Sequence, residues 1–262
     1  MKTINLLTGI LIVLSFVSCS VDNNDNTTPE EPAFKAKLLK KITNSDGYWH
    51  KYFYNDQKQI ELMTQTSNQI DYDSTYFFYD NGVLTKTLQR VYTPTDIINT
   101  ELAYTVFNAT TASGTYKVFK EDGTIFQNQT FEYTFVNNLL KNITFFNLDG
   151  TKSSEKLYTH DIAGNLTNWT EIWYGLNNSV SSQREHTFSE WDNSGLKTQS
   201  LLYWNYRIDN IPNRFISSNN CLIRTENNQN FRYTFDYDTD GNVTKNYSIN
   251  EGKFITLEYY EE

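Results

Sequence analysis

The stretch that decides the fold is Tyr233-Thr234-Phe235-Asp236-Tyr237-Asp238-Thr239-Asp240-Gly241-Asn242-Val243. Its three aromatic residues alternate with Thr234 and Asp236, and this period of two places the rings on one face of a β-strand. Asp238 and Gly241 follow at the first and fourth positions of a type I turn, where Asp accepts a backbone N–H bond and Gly tolerates positive φ. Val243 then begins a second alternating run, so the stretch predicts a β-hairpin.

Versions of this hairpin recur along the chain. The stretch His160-Asp161-Ile162-Ala163-Gly164-Asn165-Leu166 matches it position by position, and Trp191-Asp192-Asn193-Ser194-Gly195 follows the same pattern. Shorter or degenerate copies lie at 54–60, 79–84 and 131–139, and simpler turns lie at 44–47, 122–123, 147–150 and 251–252. Because the spacing between the glycines is irregular, the sequence predicts an array of hairpins of unequal length and not a strict solenoid.

Units of the form aromatic-Asp-x-x-Gly-Asn-Leu resemble the YD repeats of the Rhs family. They also resemble a group of Bacteroidetes lipoproteins that are built from similar hairpins. The resemblance covers roughly residues 48–260 and is most specific at 160–166 and 237–243. Rhs proteins wall a large shell around a toxin, and this chain of 262 residues is too short for such a shell. The resemblance therefore implies hairpin architecture only.

Aromatic residues make up 16% of the chain and favour an all-β fold. Under strict alternation, large residues fall on both faces of several strands: Leu166 shares a face with Ile172, whereas Trp169 and Trp173 lie opposite. Tyrosines tolerate half-exposure because their hydroxyl groups stay in water. These strands favour an elongated, twisted antiparallel sheet of consecutive YD-like hairpins. A closed β-barrel or a sandwich, which would be expected to alternate more cleanly, is the alternative.

The first 33 residues are predicted to be a leader followed by a tether. Met1-Lys2, the apolar run 4–17 and Phe16-Val17-Ser18-Cys19 resemble the signal peptide and lipobox of bacterial lipoproteins. The resemblance implies cleavage after residue 18 and lipidation of Cys19, although an ordinary secretory signal is the alternative. Two or more acyl chains are needed for a stable anchor. Residues 19–33 then form a flexible acidic tether, and residues 34–262 form the hairpin domain.

Lipidation would place the protein in the cell outer membrane, held by the lipid on Cys19. The acids Asp22 and Asp25, which follow this cysteine, loosely resemble the surface-export signals of Bacteroidetes lipoproteins. The membrane side therefore stays open between surface-exposed and periplasmic. The net charge is −9, and removal of residues 1–18 takes away the single charge of Lys2 to leave −10. This balance argues against nucleic acid as a partner.

The sequence offers few residues for catalysis or for cofactor binding. If Cys19 is lipidated, Cys221 has no intramolecular partner, and a buried apolar cysteine is favoured over a catalytic thiol. The histidines His50, His160 and His186 lack the spacing of a zinc site. No nucleophile elbow, phosphate loop or dinucleotide fingerprint occurs. We therefore expect a protein that is not an enzyme and that needs no cofactor.

One carboxylate cluster has the spacing of a calcium loop. Asp236, Asp238 and Asp240 alternate before Gly241, as at the start of an EF-hand loop. The twelfth position is Tyr247 instead of Glu, and the flanking segments are strands. A turn-forming Asp explains the same residues in every copy of the hairpin. No metal site is predicted, although calcium near Asp236-Asp240 stays an alternative.

The remaining signal is an excess of aromatic residues. Exposed tryptophan and tyrosine suit the recognition of sugars and of protein surfaces. The candidate ligand-binding residues are Trp169, Trp173, Trp191 and Trp204. The sequence thus predicts a membrane-anchored cell-envelope lipoprotein with a non-catalytic binding role, whose ligand is a glycan or a partner envelope protein. The alternative is a carbohydrate-active enzyme associated with outer-membrane uptake.

Overall fold

The computed structural model describes residues 37–67, 71–137, 139–192 and 217–261, which belong to the compact unit Phe34–Glu262. These ranges contain sixteen β-strands: β1 (Leu39–Asn44), β2 (Trp49–Tyr54), β3 (Ile60–Ser67), β4 (Asp71–Asp80), β5 (Val83–Tyr92), β6 (Ile97–Phe107), β7 (Thr111–Lys120), β8 (Ile125–Val136), β9 (Leu139–Phe146), β10 (Lys152–His160), β11 (Leu166–Tyr174), β12 (Val180–Trp191), β13 (Cys221–Glu226), β14 (Gln229–Tyr237), β15 (Val243–Ser248) and β16 (Lys253–Tyr259). One 3-10 turn, Leu176–Asn178, joins β11 to β12. In this part of the chain no helix is long and apolar enough to cross a membrane.

The strands form a closed antiparallel barrel. Each strand pairs with its neighbours in sequence, and β1 also pairs with β16 through partners such as Ile42 and Leu257. The predicted all-β architecture of consecutive hairpins is therefore confirmed. The sheet is closed, as in the stated alternative, and is not an open elongated sheet. Closure satisfies the backbone groups that an open sheet would leave unpaired at its two edges.

A β-bulge follows the turn in eight of the hairpins and changes the face that later residues occupy. Where β14 meets β15, Asp236 pairs with Lys245 but Tyr237 pairs with Val243, so β15 carries one extra residue. The same shift occurs where β2 meets β3, β4 meets β5, β7 meets β8, β8 meets β9, β9 meets β10, β10 meets β11 and β11 meets β12. One extra residue reverses the side of the sheet to which all later side chains point.

The bulge corrects the assignment of faces made from strict alternation. In β11 the extra residue, Thr167, lies between Leu166 and the residues that follow it. Leu166 and Trp169 are consequently both buried, with 2% and 5% of their surfaces exposed, and Trp173 shares their face. Leu166 thus lies on the face of the two tryptophans, whereas Ile172, which was expected to share its face, lies on the outer face. A sheet with one apolar face can close around a core.

The two ends of the barrel differ. We call the end with the turns 55–59, 81–82, 161–165 and 238–242 the base, and the end with the turns 45–48, 121–124, 147–151 and 249–252 the rim. Toward the base the interior is apolar, with two buried clusters that share contacts with Tyr104 and Phe107. Buried polar residues, among them Gln65, Thr75 and Gln129, line the interior nearer the rim.

The outer face of the barrel is rich in polar and charged residues, and exposed apolar side chains such as Phe53, Phe78 and Leu157 lie among them. In β8 the buried residues Phe131 and Tyr133 alternate with Thr130, Glu132 and Thr134, which are exposed. Charged residues occupy outward positions all round the sheet, and they include Lys41, Lys51, Lys86, Arg90, Glu101, Lys117, Glu132, Glu185, Arg232, Lys245 and Glu258. An outer wall of this composition is suited to contact with water.

Candidate functional site

A row of charged side chains lies inside the barrel, on the wall formed by β10 to β13. Lys156, Glu171 and Arg184 are cross-strand partners on β10, β11 and β12. The next row toward the base contains Trp169 and His186, which are buried on the same face. Lys156 Nζ lies 2.7 Å from Glu171 Oε1, and both side chains are largely shielded from solvent. The barrel therefore carries an ion pair where most neighbouring interior positions are neutral.

Glu226 of β13 is the acid on which the other basic groups of this wall converge. Arg224 Nη1 donates to Glu226 Oε2 at 2.7 Å, and His186 Nδ1 lies 3.6 Å from the same oxygen. Arg184 Nε lies 3.7 Å from Glu226 Oε1. Arg224 also donates from Nε to the Tyr233 hydroxyl at 3.3 Å. Because only 4% of Arg224 is exposed, the carboxylate of Glu226 is what makes burial of this guanidinium tolerable.

Trp169 forms an aromatic shelf below the charged row. Its ring stacks on His186 with the centroids 4.7 Å apart, and Tyr158 flanks it with the centroids 6.1 Å apart. Lys156 Nζ lies 5.2 Å from the centroid of the Trp169 ring, within the range of a cation–π contact. Burial lowers the pKa of His186 below its ordinary value, and the nearby carboxylate of Glu226 offsets only part of this shift. The imidazole is therefore neutral at pH 7, which lets it stack on the indole without a charge of its own.

We call one set of interior residues the inner wall: Lys156, Trp169, Glu171, Arg184, His186, Arg224 and Glu226. Trp173 lies one row nearer the rim than Glu171 and Arg184. It pairs with Ser182, and 39% of its surface is exposed. The side chain of Arg184 is 55% exposed. Exposure thus increases along this wall: the aromatic residues toward the base are buried and packed, whereas aromatic and cationic groups near the rim are accessible.

A cavity of about 220 Å³ lies at the rim beside the inner wall. Its lining consists of Asn44, Ser45, Asp46, Tyr233, Asn246, Ser248, Glu251, Lys253, Phe254 and Ile255. Tyr233 connects the cavity to the inner wall, because its hydroxyl group accepts the hydrogen bond from Arg224. Aromatic rings beside amide, hydroxyl and charged groups are a common composition of small-molecule sites.

Of the four tryptophans predicted to bind ligand, the three that the structure describes do not form one surface. Trp169 and Trp173 both face the interior, with Trp169 buried and Trp173 half-exposed. Trp191 lies half-buried at the base end of β12. Trp204 lies outside the described residues, as does Cys19, the predicted lipidation site, together with the whole predicted leader and tether. Ligand binding by these tryptophans stays a prediction, and the structure now locates two of them inside the barrel.

Two of the three aspartates that were considered as calcium ligands form ion pairs with a lysine. Lys37 Nζ lies 3.0 Å from Asp238 Oδ2 and 2.6 Å from Asp240 Oδ2. Asp238 also accepts the backbone N–H of Asn242 at 2.8 Å, which is the turn contact predicted from the sequence. Asp236 points to the outer face of β14. In the ranges that the structure describes, no group of three or more His, Cys, Asp or Glu side chains is placed to hold a metal ion.

Cys221 is partly buried, and its thiol contacts the protein backbone. Burial raises the pKa of its thiol to about 11, and Sγ lies 2.8 Å from the backbone oxygen of Ile223. Because the thiolate is the reactive form of cysteine, a thiol with a raised pKa is a poor nucleophile at neutral pH. The geometry thus favours the packing role expected for this residue.

Sequence reasoning missed the charged members of the inner wall. Lys156 shares its strand face with Tyr158, and Arg184 shares its face with His186 and Phe188. A charge on the aromatic face of a strand was the available signal. It could be recognised only once the bulges showed which face is internal.

Comparison with known proteins finds a likeness in fold. No protein-family model and no curated protein matches this chain. A porin-like protein from Bacteroides uniformis superposes with a TM-score of 0.54 over 86% of this chain and 98% of its own, at 15% identity. A porin-like protein from Bacteroides vulgatus covers 86% of this chain and 100% of its own at 11% identity, with a TM-score of 0.45 that is too low to support an argument. This chain is therefore an all-β closed barrel that shares its fold with the Bacteroides uniformis protein.

Proposed function

We propose that this protein is a lipid-anchored lipoprotein of the outer cell envelope whose barrel binds a glycan at its rim without catalysis. The observation that carries the proposal is the inner wall, with Trp169 and Trp173 beside the charged groups of Glu171 and Arg184. Sugars are bound by aromatic faces that contact the ring and by polar groups that hydrogen-bond its hydroxyls. The neighbouring cavity of about 220 Å³ adds amide and hydroxyl groups of the same kind.

The barrel is proposed to lie in water beside the membrane and not across it. A barrel that crosses an outer membrane presents an apolar outer band about 25 Å tall and keeps polar residues inside. Here the outer face carries charges on many strands, whereas the interior toward the base is apolar. The fold shared with a porin-like Bacteroides protein supports a location in the cell envelope, and the lipid on Cys19 would supply the attachment.

Binding is favoured over hydrolysis because the acids of the inner wall are occupied. Glycosidases use one carboxyl group that stays protonated and a second that stays ionised. Lys156 lies 2.7 Å from Glu171, and Arg224 lies 2.7 Å from Glu226, so each carboxylate already has a cationic partner. Neither acid can contact a glycosidic oxygen without giving up part of this ion pair. Carbohydrate hydrolysis stays the second candidate function. It would be detected as turnover of the glycan in the binding assay.

The anchor is tested by Cys19→Ala in the full-length chain. We expect the variant to move from the membrane pellet to the aqueous fraction and to stay monomeric there without detergent, since the polar outer wall needs no lipid. Fractionation of cells followed by size-exclusion chromatography measures both properties. Cys221→Ala is the control and should remain in the pellet. Retention of the Cys19→Ala protein in membranes after high-salt washing would rule out the lipid as the attachment.

The binding site is tested on a glycan array with the lipid-free Cys19→Ala protein. Trp173→Ala is expected to weaken binding at least tenfold, because it removes the exposed ring near the rim, an effect of roughly 1–3 kcal/mol. Trp49→Ala, which changes a tryptophan on the outer face of β2, is the control and should leave binding unchanged. Equal losses in both variants would move the site to the outer surface. Release of shortened glycan products would favour the carbohydrate-active enzyme over the binding protein.

A further inference from the structure

We propose that the bound glycan carries an acidic group, a carboxylate or a sulfate, and that Arg184 is the residue that selects for it. The inference rests on the proposed binding function, because it names the chemical class of the ligand for the same inner wall. It follows from the charge balance of the wall, from the pairing of each cation and from the distance between Arg184 and the accessible aromatic ring.

The inner wall has an excess of positive charge. Its cations are Lys156, Arg184 and Arg224, and its acids are Glu171 and Glu226, so one positive charge is left over while His186 is neutral. The chain as a whole has a net charge of −9. A local excess of cations inside a strongly acidic protein attracts an anion to that wall in particular.

The excess charge resides on Arg184. Lys156 and Arg224 each lie 2.7 Å from a carboxylate oxygen, whereas Arg184 reaches Glu226 only at 3.7 Å. Its cross-strand partner, Glu171, directs its carboxylate to Lys156. The Arg184 side chain is also 55% exposed, so its guanidinium is accessible to a ligand. A guanidinium presents two parallel N–H groups that match a carboxylate or a sulfate better than the hydroxyl groups of a neutral sugar.

The spacing between Trp173 and Arg184 suits one sugar unit. Trp173 pairs with Ser182, and Glu171 pairs with Arg184, so the two side chains lie in adjacent rows of neighbouring strands. Such diagonal neighbours are about 7–8 Å apart. A pyranose ring stacked on the exposed face of Trp173 can therefore direct an acidic substituent toward the guanidinium of Arg184.

Folding alone gives no reason for charges at these positions. Most other inward positions at the same depth carry neutral polar residues, such as Gln65, Thr75 and Gln129, and a buried acid among them, Asp73, accepts a hydrogen bond from Gln65. Ion pairs inside a protein are often no more stabilising than neutral residues of the same volume, since desolvation offsets their attraction. Charged residues retained at such a cost mark a position that serves binding.

The test uses the full-length Cys19→Ala protein and three oligosaccharides of equal length: an oligogalacturonate, a sulfated galactan and a neutral galactan. Titration calorimetry at low and at physiological salt measures each affinity. We expect at least tenfold tighter binding of one acidic oligosaccharide than of the neutral one, with the difference reduced by salt. The carboxylate and sulfate arms identify which anion is preferred.

Arg184→Gln is expected to reduce the affinity for the acidic oligosaccharide at least tenfold, to nearly that for the neutral one, and to weaken binding of the neutral oligosaccharide much less. Arg184→Lys keeps the charge without the planar fork and should retain part of the preference, which separates recognition from a loss of folding. Arg232→Gln, on the outer face of β14, is the matched control and should change neither affinity.

The outcomes separate this inference from the function on which it rests. Equal binding of acidic and neutral oligosaccharides by the wild-type protein, with sensitivity to Trp173→Ala, would overturn the acidic specificity and leave glycan binding intact. A preference for acidic sugars that persists in Arg184→Gln would exclude this arginine as the selecting residue. Failure of every oligosaccharide to bind would remove both the proposed function and its refinement.

Discussion

Glu226→Leu is expected to lower the free energy of unfolding by about 3–5 kcal/mol, because it leaves the guanidinium of Arg224 buried without its carboxylate. Arg224 is 4% exposed and lies 2.7 Å from Glu226, and it also contacts the Tyr233 hydroxyl and the Phe231 ring, which carry no charge. Urea denaturation of the lipid-free protein measures the loss as a shift of the midpoint at constant slope.

Two further variants decide whether the buried charge is the cause. Glu185→Leu removes an exposed carboxylate from the outer face of β12 and should change stability by less than about 1 kcal/mol. The double variant Arg224→Leu with Glu226→Leu removes both charges and should recover much of the lost stability, since apolar pairs often replace buried ion pairs without loss. If Glu226→Leu and Glu185→Leu have equal midpoints, Glu226 does not compensate Arg224.

Phe131→Ala is expected to cost about 3–5 kcal/mol of unfolding free energy through the cavity that it leaves in the base. Phe131 is 1% exposed, and its ring lies 5.3 Å from the ring of Tyr104, 5.0 Å from that of Tyr133 and 6.3 Å from that of Phe145, measured between centroids. Tyr133 lies on the same strand, whereas Tyr104 and Phe145 lie on β6 and β9, so the loss affects packing between three strands. Thermal or urea unfolding of the lipid-free protein measures the change.

The cross-strand partner of Phe131 on β7 has no side chain with which to fill the cavity left by Phe131→Ala. Phe131 pairs with Gly114, and a Cβ atom at position 114 would lie 1.9 Å from the backbone oxygen of Ala103. The matched control is Thr130→Ala, which changes the neighbouring exposed residue and should cost less than about 0.5 kcal/mol. A similar midpoint for both variants would show that this aromatic cluster does not stabilise the barrel.

Local chemistry in the sequence determined the hairpins and their turns. Asp161 and Asp238 each accept the backbone N–H of the residue four positions later at 2.8 Å, and Gly164 and Gly241 adopt φ angles of 82° and 77°. These contacts join residues that are close in the chain, so residue type and spacing suffice to predict them. The same locality made the all-β class predictable from the alternation of aromatic residues.

Tertiary structure alone decided the closure, the inner face and the candidate site. Pairing of Ile42 with Leu257 joins opposite ends of the domain, and no local pattern specifies such a contact. The bulge at Thr167 moves Trp169 and Trp173 onto the face of Leu166, which reverses the parity read from the sequence. The inner wall in turn depends on four strands from a long span of the chain meeting side by side. Sequence periodicity predicts that a segment is a strand. The face of that strand that points inward depends on single extra residues, and the strands beside it depend on contacts between residues distant in the chain.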